Sequence, residues 1–97
     1  MFKIIMGKGF HLKFENGNTI SVQFGYGNYC ENNKMEEMEN VNLWNYERKS
    51  ETAEIAVWDS NGNWITKRFI PDLDDNVKGY LSADEVAKII AMVAKAK

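Results

Sequence analysis

The sequence predicts an α+β fold: a small antiparallel β-sheet of about four to five strands in two hairpins, packed against one C-terminal amphipathic α-helix. Three features predict it. Phe10, Leu12 and Phe14 alternate with polar residues, Asn16-Gly17-Asn18 follows as a turn, and Ile20, Val22 and Phe24 alternate again. A second apolar stretch, from Glu51 to Ile70, is broken by its own turn at Asp59 to Asn63. Near the end of the chain, Val86, Ile89, Ile90 and Val93 recur at helical spacing.

The elements follow in order. Phe2 to Met6 is a short apolar run bounded by Gly7 and Gly9, which reads as an inner strand. In the first hairpin, a two-residue Asn16-Gly17 loop would set Leu12 opposite Ser21 and mix the two faces. A three-residue loop over 16–18 pairs Phe14 with Ile20, Leu12 with Val22 and Phe10 with Phe24, and gathers six apolar side chains on one face. Gly17 or Asn18 would take the left-handed position that such a loop needs. From 25 to 50 the periodicity fails, and an irregular loop rich in Gly, Asn and charge is expected. Within it, Lys34 to Asn40 could supply a turn or two of helix. Glu51 to Trp58 regains strand character, and Trp64 to Ile70 reads as the returning strand, ended by Pro71. Apolar residues lie on both faces of this second hairpin, so the long loop or a second subunit is expected to cover one of them. Asp72 to Gly79 reads as a polar connection. A helix is predicted over 82–96: Ser82 and Glu85 form a capping box, Leu81 and Val86 occupy the staple positions, Asp84 and Glu85 suit the start of the helix, and Lys95 and Lys97 suit its end.

Ninety-seven residues allow one domain, 1–97. The composition, 44% hydrophobic and 27% charged, is that of a globular chain rather than a disordered one. A net charge of −2 does not supply the basic surface that generic nucleic-acid binding needs, and it is too weak for an acidic mimic of DNA. The lone Cys30 excludes an internal disulfide and fits a reducing compartment. The Met1 to Met6 run is too short for a signal peptide, and no apolar stretch approaches the length of a membrane span. The expected location is a cytoplasm, with no membrane partner.

Each candidate site has to meet the needs of its chemistry. Gly25-Tyr26-Gly27-Asn28-Tyr29-Cys30 combines glycines, which let main-chain amides approach a ligand, with two stacking and hydrogen-bonding phenols. The plainer account is a bulged strand end with surface tyrosines. The segment has neither the spacing of a phosphate loop nor that of a dinucleotide fingerprint. Cys30 as a nucleophile would need a base, and the single histidine, His11, falls on the outer face of the first hairpin. One Cys and one His do not make a closed zinc site. Asp72, Asp74 and Asn76 resemble the opening of a calcium loop, but Val77 and Ala83 stand where its glycine and bidentate glutamate belong. No metal and no cofactor is therefore expected. Trp44, Tyr46, Trp58 and Trp64 could form a contact surface or fill the core.

Three stretches carry a resemblance: Phe14-Glu15-Asn16-Gly17-Asn18-Thr19-Ile20-Ser21-Val22-Gln23-Phe24-Gly25 through Asn28-Tyr29-Cys30-Glu31-Asn32, then Glu54-Ile55-Ala56-Val57-Trp58-Asp59, and Gly79-Tyr80-Leu81-Ser82-Ala83-Asp84-Glu85-Val86. Together they resemble small uncharacterised accessory proteins encoded by tailed bacteriophages, over about half the chain. The resemblance implies a phage accessory protein acting in the cytoplasm of a bacterial host.

The expected function is a non-enzymatic binding module that inhibits a host or defence factor, by binding a protein surface or by sequestering a small anionic or aromatic ligand. The expected contacts are Tyr26, Asn28, Tyr29, Trp44 and Tyr46, with Arg48, Lys49, Lys67 and Arg68 toward an anionic partner. The alternatives are a self-associating structural or assembly protein, which would form a homo-oligomer, and a small enzyme using Cys30 or a carboxylate pair.

Overall fold

Alternating apolar residues in the first half of the chain need a cover, and the C-terminal helix supplies it. The structure, a computed structural model, describes residues 1–5, 8–25, 28–31 and 49–97. These form one antiparallel sheet whose strands lie side by side in sequence order: β1 (Phe2–Ile4), β2 (Gly9–Lys13), β3 (Thr19–Gln23), β4 (Ala53–Trp58) and β5 (Val77–Leu81). The expected inner strand at Phe2 to Met6 is instead the end strand β1, which among the described residues pairs on one side only and leaves Phe2 and Ile4 exposed. The helix α1 (Ala83–Lys95) follows β5 directly and packs on β3 and β4.

Pairing between β3 and β4 sets Ile20 opposite Val57 and Val22 opposite Ile55. All four are buried, and they form one core cluster with Val86, Ile89 and Val93 of α1. Ile90, the fourth residue of the predicted stripe, packs against that cluster from its margin. The capping box is present in full: Glu85 N donates to Ser82 Oγ (3.2 Å), and Ser82 N donates to Glu85 Oε1 (3.0 Å). The Ser82 main-chain N–H, and after it the Ser82 hydroxyl, hold the Glu85 carboxyl below its ordinary range.

The first hairpin has the predicted facing but a register shifted by two residues. Leu12 lies opposite Ile20 and Phe10 opposite Val22, so the three-residue loop is 15–17 rather than 16–18. Phe14 N donates to Asn18 O (2.9 Å), and Gly17, at φ +90°, donates its N–H to Phe14 O (3.0 Å). The loop settles here because glycine takes the left-handed position without a Cβ penalty. Asn18 is then buried, with its N–H bonded to Asn16 Oδ1 (2.9 Å). A shift of two leaves every side chain on its predicted face. Phe10, Leu12, Phe14 and Phe24 accordingly pack against the core beside Ile20 and Val22.

The second hairpin differs from expectation. Trp64 makes a single bridge to Trp58, and the chain then turns into a 3-10 helix, Thr66–Arg68, rather than a strand to Ile70. Ile65, Thr66 and Phe69 are buried while Lys67 between them is exposed, so burial here follows a helical period and not period two. Thr66 also intercepts the ladder: Val57 N donates to Thr66 Oγ1 (2.9 Å), which lies 2.6 Å from Asn76 O. The partner of β4 is β5, cut from the stretch that reads as a polar connection. Lys78 lies opposite Ile55 and Leu81 opposite Ala53, so β5 carries an extra residue and bulges at Gly79-Tyr80. That bulge turns Leu81 into the core just before the helix begins.

Asn16 ties the tip of the first hairpin to the far end of α1. Its side-chain nitrogen lies 2.9 Å from Val93 O and 2.6 Å from Ala96 O, and so satisfies carbonyls that a helix C-terminus leaves unpaired. The expected helical turns at Lys34 to Asn40 lie outside the described residues.

Thr66→Val should destabilise the protein by about 1–3 kcal/mol, because it strands the buried Val57 amide while keeping the shape of the side chain. Asn16→Ala should cost about 1–2 kcal/mol through the helix terminus. Urea unfolding followed by circular dichroism measures both.

Candidate functional site

After β3, residues 24, 25 and 28 are joined by hydrogen bonds. Phe24 N donates to Lys8 O (2.6 Å), Gly25 takes φ +81°, Asn28 N donates to Gly25 O (3.2 Å), and Asn28 Nδ2 donates to Phe24 O (2.7 Å). Asn28 is half-buried, and its amide ties it back to the end of β3. Cys30 is 1% exposed, and its Sγ lies 3.8 Å from Gly25 O.

Segment 28–31 is then fastened to the start of β4 and to β5. Tyr29 N donates to Glu54 Oε2 (2.6 Å), and Tyr80 N donates to Tyr29 O (2.9 Å). One step further, Glu31 N donates to Thr52 Oγ1 (2.9 Å), and Glu51 N donates to Glu31 Oε2 (2.6 Å). Glu54 alternates with the core residues Ala53 and Ile55, so its carboxylate reaches Tyr29 on the sheet face away from α1.

Two backbone features make this attachment possible. A Cβ on Gly79 would stand 2.3 Å from Tyr29 Cβ and 2.7 Å from Tyr29 O, so only glycine admits Tyr29 so close. Tyr80 sits at φ +56°, a left-handed conformation that costs a tyrosine about 1–3 kcal/mol. The result is two tyrosines joined through their main chains, each 58% exposed.

Among the expected site residues, Asn28 and Tyr29 lie in this cluster. Lys49 is exposed two residues before Glu51. Lys67 and Arg68 are exposed on the 3-10 helix, beside the far end of β4. Thr66 is bonded to Val57, three residues along the strand from Glu54, which separates the basic pair from Tyr29 by about 10 Å of strand. Tyr26, Trp44, Tyr46 and Arg48 lie outside the described residues. Tyr80, Gly79 and Glu54 belong to the site but were not among the expected contacts. The available signal for the first two is a glycine between the apolar Val77 and Leu81, which marks a bulge or a close backbone approach.

His11 faces away from α1, opposite Ser21, and packs edge-on against Trp58 with ring centroids 5.0 Å apart. Trp58 in turn meets Trp64 edge-on at 5.6 Å. Desolvation, helped by the charge of Lys3, lowers the His11 pKa below its ordinary value. No group of three or more His, Cys, Asp or Glu able to hold a metal ion occurs among the described residues. No described helix is long and apolar enough to cross a membrane.

On the other side of the sheet, a cavity of about 220 Å³ opens between α1 and the ends of β2 and β3. Its walls include Phe10, Val22, Phe24, Leu81, Val86 and Ile90. Among the described residues Glu51 is the only titratable one on its lining, so these walls offer shape and apolar surface rather than acid–base chemistry.

No protein-family model, curated protein or solved structure matches this chain.

Gly79→Ala should push segment 28–31 off the sheet. The expected signs are a loss of about 1–3 kcal/mol in stability and faster hydrogen exchange at the Tyr80 amide. For His11, a folded-state pKa below that of the unfolded chain means that the unfolded chain binds more protons. Its contribution to stability is whole above the ordinary imidazole value and falls as the pH drops through the lowered one. An NMR titration should place His11 below the ordinary value, and Lys3→Ala should move it part of the way back.

Proposed function

We propose that the chain is a non-enzymatic binding module whose recognition surface is centred on Tyr29 and Tyr80. Its partner on this reading is a protein. The bacteriophage resemblance gives the partner its most concrete form: a bacterial host or defence factor that the module blocks by occupying its surface.

One observation carries the proposal. Two exposed phenols sit on main chains fixed by Glu54, by the Tyr29–Tyr80 hydrogen bond and by the close approach at Gly79. Tyrosine brings large amphipathic contact area with few rotatable bonds, and an anchored backbone lowers the entropy lost on binding. The strained φ of Tyr80 supports the same reading, because strain of this kind concentrates where a side chain must be aimed. Lys67 and Arg68 would serve as a separate patch toward an acidic part of the partner.

A second reading, small-ligand sequestration, is favoured by the apolar cavity. Its volume exceeds the roughly 150 Å³ that accommodates benzene in an engineered apolar cavity, and suits a bicyclic aromatic body. Native mass spectrometry of gently purified protein tests this reading. A ligand-sized excess mass that disappears on denaturation would support it over the first.

The principal test is affinity capture from bacterial extract with the wild-type chain and with Tyr29→Ser and Tyr80→Ser variants, followed by calorimetry with the purified captured protein. Each substitution should weaken binding by about 2 kcal/mol, near thirtyfold, while the melting temperature stays within about 2 °C. Full affinity in the double variant would move the recognition surface elsewhere. A collapse in melting temperature would make the tyrosines structural.

A further inference from the structure

Among the described residues, β1 lies at one end of the sheet and β2 is its neighbour. The hydrogen bonds fix which way its main chain faces. Met1 and Lys13 exchange both of their bonds (2.8 and 2.9 Å), and Ile5 N donates to Gly9 O (2.9 Å). In an antiparallel pair, bonded and non-bonded positions alternate. Odd-numbered residues of β1 therefore bond to β2, and the N–H and C=O groups of Phe2 and Ile4 point outward from the sheet. The same two residues carry the most exposed apolar side chains described, at 79% and 81%.

They lie on the apolar face of the sheet, across from Leu12 and Phe10. The helix covers β3 and β4 and does not reach them. An outward-facing hydrogen-bonding edge with apolar side chains is a template for another strand.

We propose that β1 pairs with β1 of a second copy, antiparallel and about a two-fold axis through Lys3. This reading is independent of the tyrosine surface. The register is self-complementary: Phe2 of each copy lies opposite Ile4 of the other, and both are the outward-bonding residues, so each such pair exchanges two hydrogen bonds. The sheets become continuous, and Phe2 and Ile4 of both copies form one apolar cluster.

A second copy fits this edge better than a larger partner, because the edge supplies both halves of its own complement and its area is small. At roughly 150 Å² for each large apolar side chain, Phe2 and Ile4 offer about 300 Å² per copy. Even with the strand main chain added, the total stays below the roughly 1,200 Å² of a standard stable interface, so the dimer belongs to the weak, concentration-dependent class. Lys3 and its counterpart meet on the opposite face as like charges directly across the ladder, which weakens the dimer further and makes salt strengthen it.

Sedimentation velocity over about a hundredfold range of concentration tests the proposal. Weight-average mass should rise from monomer toward dimer, more steeply at high salt. Lys3→Thr should tighten the dimer by about threefold or more. Ile4→Pro should abolish it, since proline removes an outward N–H and leaves the bonds to β2 in place. The double variant Phe2→Lys, Ile4→Lys should also be monomeric, and it serves as the deciding variant if the proline chain fails to fold. A monomer at every concentration overturns the proposal, as does a dimer that persists in the folded variants.

Discussion

Burial of the inner face of β3 and β4 beneath α1 is the constraint on which the rest of the fold depends. Ile20, Val22, Ile55 and Val57 are the centre of a small core, and Val93, Val86 and Ile89 close it. A strand buried this way cannot leave main-chain groups unpaired, so β4 needs a neighbour on each side. β3 is one neighbour. On the other side the ladder is shared: β5 takes the first part, and the Thr66 hydroxyl and Ile65 take the end of it at Val57. Length matters as well. β5 runs straight into Ser82, and Asn16 meets the last helical carbonyls, so the helix is held at both ends over the strands it covers.

This scaffold explains why the tyrosine site sits where it does. The start of β4 is a fixing point: Thr52, Glu51 and Glu54 all bond to segment 28–31. The bulge in β5 faces the same point, and its two irregular residues divide the work. Gly79 makes room for Tyr29, and Tyr80 accepts a left-handed backbone. Such a backbone persists only where its surroundings determine it, and here the core-facing Leu81 and the cap at Ser82 follow at once. The same bulge that lets the helix begin under the right strands turns a tyrosine outward.

Legibility in the sequence tracked the range of the physics. The capping box, the staple and the helical stripe are local patterns, and all were readable residue by residue. The facing of the first hairpin was readable because period two survives any even shift. Its register was not, since the choice of Gly17 over Asn18 for the left-handed position rests on a difference in backbone cost. Trp64 to Ile70 is ambiguous because positions 65 and 69 share a face in a strand and in a helix alike, and only the charged Lys67 between them distinguishes the two. β5 was hidden because Lys78 and Gly79 interrupt any apolar alternation. Within the site, Tyr29 was legible as an aromatic in an irregular segment. Tyr80 was not, because nothing local says that residue 80 would meet residue 29.

By itself the sequence determined the class: an alternating antiparallel sheet and a capped helix. Those are decided by side-chain periodicity and by contacts within a few residues. Tertiary structure alone decided the partner of β4, the place of Cys30 in the interior, and the meeting of Tyr29 with Tyr80. Each of these depends on hydrogen bonds between residues far apart in the chain, formed only once the helix has closed over the sheet.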